Sequence, residues 1–240
     1  MDINFINAKM NYLQNTIYLL ESLNINIIND VKKMKCIFKN NTCIIAYINN
    51  IFEINKKILC VTKINDIINY NITILNKIKT IFIQIQTVLE DAKTTPTITL
   101  NNLYVKYIKQ IDLIAKTSNY CNYNMLNGSI AIFKIKRYDI DKMIICYDFT
   151  EKGLLLKNTD ILTLGNVSLI CQIISYSLDN VNKMYNELQL CKNNIDNLID
   201  HYNIELSFNK NKVNEFIVNK ILLYKNDLDN YKRRLQYNNC

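Results

Sequence analysis

Residues 166–202 read NVSLICQIISYSLDNVNKMYNELQLCKNNIDNLIDHY, and the chain runs on to Cys240 without a glycine or a proline. Its apolar side chains recur at alternating steps of three and four: Ile174, Leu178, Val181, Tyr185, Leu188, Cys191, Ile195, Ile199, Tyr202, Leu206, then Val213 and Phe216. A stripe of that period lies along one side of an α-helix, close to the 3.5-residue repeat of a coiled-coil seam. At 1.5 Å of rise per residue, an uninterrupted helix from Asn166 to Cys240 spans roughly 110 Å. Its stripe cannot face water, so the sequence demands a partner along most of that length.

Residues 1–95 are the mirror case, again free of glycine and proline. Leu13, Ile17, Leu20 and Leu23 form one stripe, continued by Ile27, Ile28 and Val31. A second is Ile64, Ile67, Ile68, Ile72, Leu75, Ile78, Phe82, Ile85 and Leu89. Cys43 to Ile51 is β-branched enough for a strand. No turn residues isolate it, so helix is expected, with Asn40-Asn41-Thr42 as the break. Pro96 ends the arm, because the residue before a proline is biased away from the α conformation. Thr99 is the expected cap of the next helix, whose stripe is Leu100, Leu103, Tyr107, Ile111 and Ile114.

All three glycines lie between 128 and 165, where the chain is expected to turn. Phe133 and Ile135, then Met143, Ile145, Tyr147 and Phe149, alternate with mostly polar neighbours. Two such runs around Lys136–Lys142 read as a β-hairpin. The expected fold is therefore mainly α, a long antiparallel helical bundle or coiled coil with a small β-hairpin in the middle. The expected regions are 1–127, helical; 128–165, hairpin and turns; and 166–240, a helix paired with the N-terminal arm. At roughly 25 cal/mol per Å2 of apolar area buried, a long seam is stable. An end with only two helices still needs cover from neighbouring molecules.

Composition narrows the function classes. The 240 residues are 49% apolar, and Gly 3 and Pro 1 mean few turns. Asn, Ile, Lys and Tyr are heavily used, the mark of AT-rich codons. The net charge of +8 could serve an acidic partner, but its lysines and arginines are scattered and suit solvated helix faces better. The eight cysteines, Cys36, Cys43, Cys60, Cys121, Cys146, Cys171, Cys191 and Cys240, form no Cys-x-x-Cys pair, and the sole histidine is His201. Tetrahedral zinc sites need thiolates or imidazoles at short spacing, so no structural metal is expected. Several cysteines fall on apolar stripes as small hydrophobes. Asp196 and Asp200 near His201 read as a solvated face, not a catalytic set. Three glycines make no phosphate loop. Asn71 and Asn127 open Asn-x-Ser/Thr triplets that follow from abundant asparagine. The sequence nominates no catalytic, cofactor-binding or metal-ligating residue, and no cofactor. No basic signal peptide opens the chain and no apolar run approaches 18 residues, so no membrane insertion is expected.

Several stretches resemble bacterial flagellin. The most specific is Gln110-Ile111-Asp112-Leu113-Ile114-Ala115-Lys116-Thr117-Ser118-Asn119-Tyr120, continuing to Met125-Leu126-Asn127-Gly128-Ser129. It is similar to the family's Glu-Ile-Asp-Arg-Ile-Ala-x-Thr-Thr, aromatic, Asn-Gly, Leu-Leu-x-Gly-Ser pattern, with Cys121-Asn122 at the Asn-Gly turn. Leu75 to Gln84 is similar to Leu-Gln-Arg-Val-Arg-Glu-Leu-Ala-Val-Gln. Leu13 to Asp30 resembles the segment ending Gly-Leu-Arg-Ile-Asn…Asp, without its glycine. Val181-Asn182, Leu188, Asn193 and Ile199 resemble Val-Asn-x-x-Arg-x-x-Leu-Gly-Ala-x-Gln-Asn-Arg-Leu. Ile221-Leu222 stands where the family has its terminal Ile-Leu-Gln-Gln helix. Tyr185 and Asn194 replace the family's arginines, and Gln189-Leu190 its Gly-Ala.

The resemblance implies a structural subunit, not an enzyme. Flagellins leave the cell through the flagellar export channel without a cleaved signal and polymerise helically into the extracellular filament. The implied partners are further copies of the chain, as a helical homopolymer, the flagellar export apparatus, and hook and cap proteins; nucleic acid is not among them. A hook–filament junction protein shares the terminal arms, but the short middle favours the filament. A rival of another class is a basic coiled-coil module binding nucleic acid or membrane, which requires a basic stripe on one helix face and salt-sensitive binding.

Overall fold

The structure is a computed structural model that describes residues 41–237. The stripe from Leu13 to Val31 lies outside the described residues, as do Cys36 and Cys240. Three helices and a two-stranded antiparallel sheet make up the described chain: α1, Thr42–Thr94; α2, Ile98–Thr117; β1, Ile132–Arg137; β2, Ile140–Ile145; and α3, Leu164–Tyr237. The fold is mainly α with a β-hairpin. The segment from Cys43 to Ile51 is helical despite its β-branched side chains. Asn41 caps it, its Oδ1 accepting from the Ile44 backbone N–H at 3.2 Å.

The chain divides into two compact units. The first comprises residues up to Cys60 and from Ile199 onward. Its core is Ile44, Ile48 and Ile51 of α1 against Val213, Ile217 and Ile221 of α3. The Asn50 amide donates to Asn209 Oδ1 at 3.4 Å, and the Lys57 ammonium sits over the Tyr202 ring at 5.2 Å. Ascending numbers on α1 meet descending numbers on α3, so the helices are antiparallel here.

The second unit is Val61–Leu198. A heptad row of buried positions runs along α1, Ile68, Asn71, Leu75, Ile78, Phe82, Ile85, Leu89 and Ala92, with Ile67, Ile74 and Val88 buried beside it. A second such row runs along α3, Val167, Ile170, Ile174, Ser177, Val181, Met184, Leu188, Cys191 and Ile195, with Asn180 buried beside it. Asn65 donates from Nδ2 to Asp196 Oδ1 at 2.8 Å, near the start of this part of α1 and the end of this part of α3. At the opposite end, Cys171 lies near the charges of Lys93 and Glu90. The pair is antiparallel in this unit too. Asn71 is a polar residue within the seam; its Nδ2 donates to the Ile67 carbonyl one turn back, at 2.8 Å.

Two local expectations are corrected. The cap of α2 is Thr97, not Thr99. Thr97 is extended, at φ −132° and ψ 156°, and its side chain accepts from the Leu100 N–H. The helix starts directly after Pro96-Thr97, so Thr99 is already inside it with helical backbone. The hairpin is where expected, but the phase of β2 is the reverse. Phe133 pairs with Ile144 and Arg137 with Ile140. Phe133, Ile135, Ile140, Ile144 and Cys146 are buried, whereas Met143 and Ile145 are 66% and 50% exposed. In a strand, one step changes the face. Pairing with Phe133 carries Ile144 inward and sends its neighbours out.

Candidate interaction surface

The segment joining α2 to α3 is held by polar side chains that each replace a missing backbone partner. Asp112, on α2, accepts from the Glu151 backbone N–H at 2.9 Å, and its other oxygen takes the Lys116 ammonium at 2.6 Å. Burial pushes the Asp112 carboxyl up, but the Lys116 and Glu151 hydrogen bonds outweigh it and hold it below the ordinary carboxylate value. Buried Asn124 donates to the Ala115 carbonyl at 2.8 Å and to the Lys116 carbonyl at 3.3 Å, satisfying orphan acceptors at the end of α2. Its Oδ1 accepts from the Leu126 N–H at 2.9 Å, which turns the chain back. Nothing in the sequence pattern marks Asn124; it is one asparagine among many, and its role follows from the end of α2.

Between these groups, Tyr120 and Tyr123 exchange backbone hydrogen bonds of 3.0 and 2.9 Å across Cys121-Asn122. Both central residues have positive φ, 52° and 67°. That is the backbone of a type I′ turn, for which Asn-Gly is the favoured pair. Tyr120 stacks on Tyr70 of α1 with ring centroids 5.1 Å apart. Gly128 (φ 75°) and Gly153 both abut Asp148: a Cβ would come within 2.7 Å of its Oδ2 at the first and 2.2 Å of its Cγ at the second. Asp148 in turn accepts from the Thr150 N–H and hydroxyl at 3.0 and 2.7 Å. Further on, the Tyr104 hydroxyl meets Thr159 Oγ1 at 2.6 Å.

This scaffold presents two apolar surfaces. One is a groove of about 460 Å3 between the turn after β2 and the outer side of α3, lined by Phe149, Leu154, Leu155, Leu169, Ile173 and Tyr176 among others. Leu155 is in the left-handed region, at φ 59°, and 79% exposed. Leu169 and Tyr176 are more than half exposed, seven residues apart, and Leu190 is exposed on the same heptad row with Lys183 between them. Asp148 is the one ionisable carboxylate in the lining. The other surface is the outer face of the hairpin, where exposed Ile132 pairs with Ile145 and Lys134 with Met143.

A solved structure, the crystal structure of Bacillus cereus flagellin, is similar to this chain with a TM-score of 0.50, at 14% identity, over 59% of this chain and 86% of that chain. The fold is flagellin-like. At this identity the likeness concerns the fold alone. No protein-family model matches the chain, and no curated protein does.

The residues that carry the flagellin resemblance occupy structural positions. Leu75, Ile78, Phe82, Ile111, Ala115, Leu126, Val181 and Leu188 are fully buried. Asp112 and Gly128 make the contacts described above, and Ser129 donates from its hydroxyl to the Asn124 carbonyl at 3.1 Å. Leu190, which stands at the family's small residue, is exposed and off the seam. Its bulk therefore does not separate the helices. His201 is exposed on α3, while Asp196 is engaged by Asn65 and Lys192. Cys43 and Cys121 are exposed; Cys146 and Cys191 are buried, and burial pushes the Cys146 thiol up to about 11. No helix among the described residues is long and apolar enough to cross a membrane.

Proposed function

We propose that this chain is a structural subunit that self-associates into a helical polymer, the filament of a bacterial flagellum, and serves motility outside the cell. The observation that carries the reading is the combination of a flagellin-like fold with apolar surfaces left uncovered on its second unit. Fully burying a side chain of the size of leucine or methionine is worth about 1.5–3 kcal/mol. The groove and the hairpin face thus hold a reserve of favourable energy that a neighbouring copy would release on covering them. In this reading the chain catalyses nothing. It is exported through the flagellar channel, and meets hook and cap proteins at the ends of the polymer.

The experiment is immunogold electron microscopy of the source cells with an antibody against this chain. Labelled surface filaments are expected. Label confined to the cell interior, with filaments present but unlabelled, contradicts the assignment.

A further inference from the structure

We propose that Asn127 is a site of spontaneous deamidation: its side chain closes on the Gly128 backbone nitrogen and converts the residue, without an enzyme, into aspartate and isoaspartate. The chain is rich in asparagine, yet Asn127 is the only one followed by a glycine. A glycine has no Cβ to shield its amide nitrogen or to restrict the backbone around it. Asn127 therefore faces the least hindered nucleophile of any asparagine in the chain. The local fold adds to this. Asn127 Oδ1 accepts from the Ser129 backbone N–H at 3.0 Å. That bond folds the side chain back along the main chain, and the ring it closes contains both Asn127 Cγ and the Gly128 nitrogen. The same N–H rests on the oxygen that takes up negative charge when the nitrogen attacks, where a fixed donor helps most. Gly128 is exposed, so water and base reach it. Nor can the glycine be exchanged for a less reactive neighbour. It stands in the left-handed region at φ 75°, and a Cβ there would come within 2.7 Å of Asp148 Oδ2.

The reaction consumes only water. The Gly128 nitrogen gives up its proton and bonds to Asn127 Cγ. The bond from Cγ to Nδ2 breaks, and Nδ2 leaves as ammonia with that proton. Water then opens the cyclic imide at either carbonyl. Opening at Cγ leaves an aspartate at 127; opening at the main-chain carbonyl leaves isoaspartate, with the chain running through the former side chain. Both products disturb the polar recess of about 610 Å3 that Asn127 lines. Its ionisable groups are Asp112, Asp148 and Glu151 against Lys116, Lys152 and Lys157, three of each sign. A carboxylate at 127 leaves that balanced recess with one negative charge in excess. Isoaspartate also inserts a carbon into the main chain directly before Gly128, whose contact with Asp148 has no space for one. The turn between α2 and β1 therefore loosens as a molecule ages.

The test is incubation of the purified full-length chain in mildly alkaline buffer, folded in one arm and unfolded in guanidinium chloride in the other. Asparagine, aspartate and isoaspartate at 127 are resolved in proteolytic peptides by mass spectrometry, and isoaspartate is verified by labelling with isoaspartyl methyltransferase. In the folded arm Asn127 is expected to convert first, about tenfold faster than any other asparagine, and at least as fast as in the unfolded arm. If Asn127 converts tenfold or more slowly in the folded chain than in the unfolded one, the turn shields the residue and the proposal is wrong. Asn127→Gln, whose longer side chain closes a larger and less favoured ring, is expected to keep the circular dichroism spectrum and lose the modification. The aged parent chain should melt below the fresh one, while aged Asn127→Gln melts where it began. An equal fall in both would place the damage elsewhere and overturn the loosening of this turn.

Discussion

Asp112 and Glu151 are 39 residues apart in sequence, yet the Asp112 carboxylate accepts from the Glu151 backbone N–H at 2.9 Å. The bond ties the turn after β2 to α2. Its cost of removal is that of a charge-assisted hydrogen bond, about 1.5–3 kcal/mol. Asp112 is held below its ordinary value of 3.8, so in acid the unfolded chain takes up its proton first. Its stabilisation is therefore complete above that value and is lost as pH falls below it. Asp196, held low first by Lys192, adds to the same loss. Urea unfolding midpoints are expected to fall with pH in this range, and Asp112→Asn is expected to flatten, not abolish, the fall.

Gly153 and Gly165 make opposite predictions. A Cβ at Gly153 meets Asp148 side-chain and backbone atoms within 2.6 Å, whereas at Gly165 nothing lies within 4 Å. Gly153→Ala forces the turn apart and is expected to cost about 1–3 kcal/mol. Gly165 is in the first turn of α3, so Gly165→Ala is expected to stabilise by about 0.5–1 kcal/mol. Thermal melts of the two variants should move in opposite directions.

Cys121 and Asn122 occupy left-handed backbone without a glycine. Replacing them with Asn-Gly, by Cys121→Asn and Asn122→Gly together, supplies the pair that this turn prefers. A gain of about 1 kcal/mol in chemical denaturation is expected. A loss would mean that the Cys121 side chain itself holds the turn.

Tyr104 is fully buried beside Thr159, and burial pushes its phenol from 10.0 up to about 12. Between those values the unfolded chain loses a proton that the folded chain keeps, so stability declines as pH rises through them. Tyr104→Phe is expected to make alkaline unfolding shallower over that interval, followed by circular dichroism.

The two long helices were legible because their periods agree with their lack of breakers: Leu75, Ile78, Phe82 and Ile85 on one, Val181, Leu188 and Ile195 on the other, all lie in the core. The cap of α2 was not, since Thr94, Thr95, Thr97 and Thr99 are chemically alike and only backbone geometry picks out Thr97. The phase of β2 was hidden for a similar reason. Met143-Ile144-Ile145-Cys146 is apolar in both registers, and only the pairing of Ile144 with Phe133 decides between them. Gly165 read as a turn residue and is helical, a position open enough to tolerate it. The groove could not be read at all, because Leu155 and Tyr176 come together through the turn and α3, not through any local pattern.

Self-association into an open polymer is tested most directly by sedimentation velocity of the purified full-length chain over a wide concentration range, with negative-stain microscopy of the pelleted material. A progressive series of species without a closed end point is expected, with filaments in the pellet. A single species that does not change with concentration, whether monomer or closed dimer, would contradict it.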